Sequence, residues 1–278
     1  MQLHYFRSDT GNFGDELNPW LLSRLSPSLI DDDDQRVLVA IGSLLNERLN
    51  QWVGPREAFI FGTGIGYGAL AQIRDNWRVF AVRGKRSRAA LRLPDSTPLG
   101  DAAIMLRSLP QRPARVPQHE YGFMPHHNSC YSVYWASTCR ALGIHFIDPR
   151  QKDAGRVIEE IAACRCLIAE AMHGAVVADC LRVPWVPVQL YDHIDRNKWD
   201  DWGSALGVAP QFVPWRQLLQ SDTRAARVKA QALAPFALAR CRKRSRDLAQ
   251  LSDERELDAC HARLCEAFER LCRQASQG

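Results

Sequence analysis

The stretch Ala169-Glu170-Ala171-Met172-His173-Gly174-Ala175-Val176-Val177-Ala178-Asp179 decides how this chain is read. It begins in the apolar run Cys166-Leu167-Ile168-Ala169, which reads as a buried strand, and passes into a helix expected from about Gly174 to Leu181. Val183-Pro184 then stops that helix. A strand feeding directly into a helix is the unit of an open α/β sheet, and ligands of such sheets sit at the edge where His173 stands. Unpaired backbone N–H groups at a helix start favour an anion. A histidine placed there is able to hold a phosphate or carboxylate and to move a proton near neutral pH. The competing reading is a satisfied histidine packed at a strand end, and other segments decide between them.

Working outward, Leu3 to Phe6, Val37 to Ile41, Ala58 to Phe61 and Arg78 to Val82 read as strands alternating with helical patterns, which implies βα units and a parallel sheet. Arg107 to Pro117, rich in proline and arginine, is the best linker. Beyond it the alternation resumes with Tyr121 to Met124, Ile144 to Ile147, Cys166 to Ala169 and Trp185 to Val188, with a helix expected over Asp153 to Ala163. From about Trp215 onward the chain reads as helices. The expected architecture is α/β: two Rossmann-like domains, 1–110 and 117–215, facing across a cleft, with a helical basic tail over 216–278. No repeat or low-complexity tract is visible apart from the acidic turn Asp31 to Asp34.

The 278 residues suffice to bury a full core without disulfide or metal staples. With 46% hydrophobic and 24% charged residues the composition is that of an ordinary folded protein. Nine cysteines lack the paired spacing of a secreted framework and read as reduced thiols in the cytosol. The chain opens in a strand-like run rather than a signal peptide, and no apolar stretch of ~18 residues is present to span a bilayer. The net charge of +5 is unevenly held. Arg224, Arg227, Lys229, Arg240, Arg242, Lys243, Arg244 and Arg246 have no acidic residue among them, and the same segment carries Leu233, Phe236 and Leu238, with Pro235 expected to interrupt it. Such a helix suits an anionic membrane surface or nucleic acid, or is simply a solvated amphipathic helix.

Several turns carry candidate chemistry. Gly62-Thr63-Gly64-Ile65-Gly66 follows a strand, but the dinucleotide fingerprint fails from Gly62, where Tyr67 takes the third glycine's place. Counted from Gly64 it ends at Ala69, and Arg83 stands where an acidic residue is needed at the end of the next strand. Gly64 is therefore read as part of a tight turn that admits an anionic substrate. In Thr10-Gly11-Asn12-Phe13-Gly14-Asp15, Asn12 is placed to donate to a ligand, whereas helix capping is the first expectation for Asp15. Arg83-Gly84-Lys85-Arg86-Ser87-Arg88 gathers cations at a helix start, and Arg83 with Ser87 is preferred for gripping carboxylate or phosphate. Asp101 either orients a hydroxyl or cation or caps a turn. His126 and His127, with Cys130 nearby, match no zinc spacing, so anion or sugar contact is preferred and no metal is expected. Lys198-Trp199-Asp200-Asp201-Trp202 reads as a loop in which Lys198 and Trp199 serve a sugar, or in which the tryptophans are buried against the tail.

The ordered set N-F-G-D-E-L-N, G-T-G-I-G, V-R-G-K-R-S, L-G-D-A-A-I-M-L, F-M-P-H-H and A-E-A-M-H-G-A-V-V-A-D resembles the polysaccharide pyruvyltransferases over about residues 8 to 202, most closely the xanthan and succinoglycan type of ketal pyruvyltransferase. The resemblance implies a fold like that of GT-B glycosyltransferases, phosphoenolpyruvate as donor substrate with no cofactor, and release of phosphate as a cyclic pyruvate ketal forms. It implies as acceptor a lipid-linked oligosaccharide at the inner face of the cytoplasmic membrane, where the basic tail would hold a cytoplasmic enzyme in peripheral contact. In that family the histidine matched by His173 is needed for activity, here as acid/base, and the arginine matched by Arg83, with Ser87, belongs to the donor site. Many members carry an arginine two residues before the histidine. Ala171 stands there in this chain, and His126, His127 or Lys198 is expected to supply the charge. Two other readings are a nucleotide-sugar glycosyltransferase, which shares the cleft architecture, and a non-catalytic nucleic-acid-binding protein. Against the latter, the chain carries no known nucleic-acid module.

Overall fold

In the computed structural model, residues 1–31, 33–215, 218 and 223–277 are described. The expected tail boundary at residue 216 and one aspartate of the acidic turn, Asp32, lie outside them. The first half runs β1 (Gln2–His4), α1 (Phe13–Leu25), β2 (Arg36–Val39), α2 (Glu47–Val53), β3 (Glu57–Phe61), β4 (Trp77–Ala81) and α3 (Lys85–Ala90), and ends in a 3-10 helix over Ala102–Ser108. The second half comprises β5 (His119–Met124), a 3-10 helix over His127–Tyr131, α4 (Trp135–Ala141), β6 (His145–Phe146), α5 (Ala154–Ala162), β7 (Cys164–Ala169), α6 (Met172–Cys180), β8 (Trp185–Pro187) and α7 (Arg196–Ala205). Two long helices follow, α8 (Arg224–Leu248) and α9 (Glu254–Ala275).

The strands form two four-stranded parallel sheets, ordered β1-β2-β3-β4 and β6-β5-β7-β8. Each of the eight apolar runs read as strands overlaps one of them, although the first strand ends at His4, short of Phe6. Parallel sheets need cover on both faces. Accordingly Val37, Leu38 and Val39 in β2 and Leu167, Ile168 and Ala169 in β7 are fully buried regardless of which way they point. One apolar cluster joins the facing sides of both sheets through α1, α5, α6 and α9, so the core is continuous between the halves. A second cluster seals the outer face of the second sheet with α8, and a third lies under α2 on the outer face of the first.

The order β6-β5-β7-β8 contains a reversal, because the chain leaves β5 for β6 on one side and returns to β7 on the other. That switch opens a crevice at the carboxyl ends of β5 and β7, the preferred ligand position in such sheets. His126 and His127 follow β5, and Glu170 to His173 follow β7.

Three local expectations change. Lys198 to Trp202 is part of α7 rather than a loop: Asp195 caps it by accepting from the Asn197 N–H at 3.0 Å, and Trp199 and Trp202, one turn apart, are both buried. α8 runs through Pro235, which forfeits only its own bond to the carbonyl one turn back while Ala230, Ala234, Ala237 and Cys241 hold both flanks against the sheet. Leu238 belongs to that buried face and not to the exposed apolar set.

Candidate active site

A cavity of about 1010 Å³ lies between the carboxyl ends of the two sheets. The first half lines it with Asn12, Gly14, Asp15, Tyr67 and the segment after β1, the second with His126, His127, His173 and Lys198.

His173 sits in the first turn of α6 with its side chain only 14% exposed. Its Nε2 faces Asp101 Oδ2 at 3.6 Å, and both atoms are buried without a hydrogen-bond partner. Asp101 is itself fixed, since its Oδ1 accepts from the Ala103 N–H at 2.9 Å and so caps the 3-10 helix. Of the two expected roles, capping is the one seen. At 3.6 Å the carboxylate oxygen and the imidazole nitrogen face each other without a hydrogen bond between them.

The ring also lies over α1. A Cβ built on Gly14 would stand 2.3 Å from His173 Nδ1, inside any tolerable contact, so Gly14 gives the imidazole its seat. Gly14→Ala adds a favourable helical residue but must displace that ring. The expected result is a kcat lowered about 100-fold with little change in melting temperature, measured by steady-state kinetics beside a thermal melt.

Asp15 does not cap α1. Its Oδ2 accepts from Asn12 Nδ2 at 2.6 Å, and neither side chain bonds a helix N–H. Burial pushes Asp15 up to about 6, partly offset by His173 and by the Asn12 bond. Asn18, the last residue of the same motif, holds the turn after β2: it accepts from the Ile41 N–H at 2.8 Å and donates to the Ile41 carbonyl at 3.0 Å.

Burial, then the neighbouring rings and Lys198, push His126 far below the usual histidine range and His127 to about 4. Both rings are neutral at neutral pH. They offer hydrogen bonds and not charge, which corrects the expectation that either replaces the family arginine. The remaining candidate is Lys198, whose Nζ lies 3.4 Å from the Tyr67 ring centre. Burial, and then the Arg83 guanidinium, lower it to about 7. Arg7 and Arg48 add exposed cations at the rim.

Arg83, Ser87 and Gly64 stand behind the cavity wall, and Trp199 reaches it only at its edge. Arg83 is wholly buried: Nε donates to Asp201 Oδ2 at 3.1 Å, one terminal nitrogen to Ser43 Oγ at 2.8 Å and the other to the Ile65 carbonyl at 2.6 Å. Ser87 donates from Oγ to the same Asp201 carboxylate, and its N–H donates to Asp201 Oδ1 at 3.0 Å. Gly64 has no room for a side chain because the Arg83 guanidinium fills that space. The motif V-R-G-K-R-S thus ties the first half to α7, and α7 carries Lys198 to the cavity. Trp199 touches the cavity but is 2% exposed, packed among Trp185, Trp202 and Phe212, so burial and not sugar stacking is its main role.

Sequence reasoning missed Glu170, Asp201, Tyr67 and Trp52. Glu170 is buried and accepts from the backbone N–H groups of His126 (3.1 Å) and Leu190 (2.8 Å), joining the loops after β5 and β8. A charged residue between two apolar strand residues and a small one was its only signal. Tyr67 and Trp52 are half-exposed aromatics on the cavity wall, with His4 stacked on Trp52 at 3.8 Å. Among the described residues no group of three or more His, Cys, Asp or Glu side chains is placed to hold a metal, and no helix is long and apolar enough to cross a membrane.

Fold and site define the class: an α/β protein with a cavity between the carboxyl edges of two parallel sheets, beside a histidine that faces a carboxylate. No family model matches the chain. The succinoglycan biosynthesis protein ExoV of Rhizobium meliloti (strain 1021) is 35% identical over 218 residues, 77% of this chain and 68% of that protein. An uncharacterized protein of Acanthamoeba polyphaga mimivirus is 25% identical over 207 residues, 66% of each chain. The chain belongs to the polysaccharide pyruvyltransferase family, in its succinoglycan-type branch, and so among the transferases of exopolysaccharide biosynthesis.

Proposed function

We propose that the protein transfers pyruvate from phosphoenolpyruvate to a sugar of a lipid-linked exopolysaccharide repeat unit, forming a cyclic ketal and releasing phosphate. The observation that carries this reading is the His173–Asp101 pair beside a cavity lined by the half-buried cation Lys198. The donor carries a phosphate and a carboxylate. Lys198, with Arg7 and Arg48 at the rim, supplies charge for it, and the neutral His126, His127 and Asn12 supply hydrogen bonds.

In the proposed reaction one sugar hydroxyl adds to C2 of the enolpyruvyl group, its proton passing to a base in the cavity, while C3 gains a proton to become a methyl group. A second hydroxyl then bonds to C2 as the C2–O bond to phosphate breaks, and the proton of that hydroxyl leaves with the phosphate. His173 serves as the acid/base, and Asp101 offsets the charge it acquires. Asp15, ionised above about pH 6, is the second group able to accept a hydroxyl proton. Tyr67 and Trp52 offer ring faces to the acceptor. Arg83 and Ser87 act through Asp201, as positioning residues. The two halves are read as GT-B-like domains over 1–110 and 117–215, acting at the inner face of the cytoplasmic membrane.

The test is phosphate release from phosphoenolpyruvate by the purified protein, with and without a membrane extract containing lipid-linked oligosaccharides. Release that needs the acceptor supports the reading. No release, with turnover of a nucleotide sugar instead, overturns it. A pH dependence follows from Lys198: the ammonium needed to bind the anionic donor is lost as pH rises through about 7. kcat/KM for phosphoenolpyruvate should therefore fall about tenfold per unit above that pH, and Lys198→Arg, always charged, should remove the fall.

A further inference from the structure

We propose that the outward face of α8 docks on an anionic lipid bilayer. One side of this helix, formed by Ala230, Ala234, Ala237, Leu238 and Cys241, is buried on the second sheet. On the other side Val228 is 63% exposed, Phe236 69% and Leu233 40%. At ~100° per residue these three fall within one arc of about 140°, and the exposed Lys229, Arg240, Lys243 and Arg246 share it. Tyr134, 82% exposed, stands alongside, its backbone N–H donating to Gln231 Oε1 of α8 at 2.8 Å.

The charge on this face is of one sign. α8 holds eight arginines and lysines and one acid, Asp247, which lies 3.5 Å from Arg244. Among the described residues no carboxylate pairs with Arg224, Lys229, Lys243 or Arg246. The neighbouring helix α9 is the internal comparison. It too packs by one face, but its five acids and four cations nearly balance, and it places no large apolar side chain in solvent. Of these two helices, α8 alone combines an apolar ridge with cations that no described carboxylate pairs.

That combination fits a bilayer interface, where apolar side chains enter the acyl boundary and long cationic side chains reach the anionic headgroups. A second copy of the chain would bring like charges together, and nucleic acid would answer the cations while leaving Phe236, Val228 and Leu233 in water. The 3-10 helix that brings His127 and Asn128 to the cavity ends at Tyr131, three residues before Tyr134. A docked α8 therefore sets the second-half rim of the cavity close to the lipid surface.

The experiment is co-flotation of the full chain with vesicles of phosphatidylcholine alone and of phosphatidylcholine with phosphatidylglycerol. The expected result is capture by the anionic vesicles and little by the neutral ones. Val228→Ser with Phe236→Ser should weaken capture at least tenfold, Phe236→Leu should retain it, and Lys243→Gln should weaken it roughly fivefold at low salt. All are surface changes, and unchanged melting temperatures confirm the fold. Equal capture by both vesicle types, capture by neither, or full capture of the double serine variant overturns the proposal. So does duplex DNA binding that Phe236→Ser leaves unchanged in a protein that no vesicle captures. Capture uses neither phosphoenolpyruvate nor a sugar acceptor, so its failure is separable from failure of the pyruvyl-transfer reading.

Discussion

Replacing His173 with alanine is expected to lower kcat for acceptor-dependent phosphate release by about 10²–10⁴, the range spanned by one positioned acid/base group. Stability should change little, because the buried Nε2 of His173 makes no hydrogen bond that the substitution would break. Asp101→Asn provides the control. The amide oxygen is able to keep the cap on the Ala103 N–H, so the 3-10 helix should survive, while the charge facing the imidazole disappears. Its kcat should fall less than that of His173→Ala, and the double variant should lose no more than His173→Ala alone, since the two act as one unit. Near-normal turnover of His173→Ala would remove this residue from the chemistry.

Arg83→Leu should act chiefly on stability. It strips the guanidinium from a carboxylate that is 1% exposed and leaves Asp201 with only the two Ser87 donors, while the Ile65 carbonyl loses its 2.6 Å partner. Breaking a buried pair of this kind costs about 3–5 kcal/mol, which for a chain of 278 residues lowers the melting temperature by roughly 10 °C. Arg83→Lys should recover only part of this, because a single ammonium cannot reach Asp201, Ser43 and Ile65 at once. Thermal melts beside the KM for phosphoenolpyruvate distinguish two roles. A tie between Arg83 and α7 lowers stability in both variants. Direct contact with the donor raises KM and leaves the melt unchanged.

The contrast between these two residues shows what was legible in the sequence. Each strand announced itself as a local apolar run, and His173 stood at a strand-to-helix junction that can be placed without tertiary knowledge. The partner of Arg83 lies 118 residues away on α7, and no local pattern links them. α7 itself passed for a loop because its charges and tryptophans mimic a surface segment, although Trp199 and Trp202 already stand at helical spacing. Within the motif that opened the reading, Glu170, His173 and Asp179 look alike as polar residues in an apolar frame. Only the fold separates them: one braces two loops, one faces the cavity, and Asp179 is buried, accepting from Trp185 Nε1 at 2.9 Å and from the Ser252 N–H at 2.9 Å between α8 and α9.

That last clasp bears on synthesis. α9 supplies Leu264, Phe268 and Leu271 to the cluster shared by both sheets, and Phe268 meets Phe61 of β3 at a ring-centre distance of 5.3 Å. The strands of the first sheet leave the ribosome early, yet the apolar side that α9 closes stays open until nearly two hundred further residues have followed. The nascent chain must therefore carry an uncovered hydrophobic face through most of its translation. Until α9 emerges, that face is the surface a chaperone would have to shield.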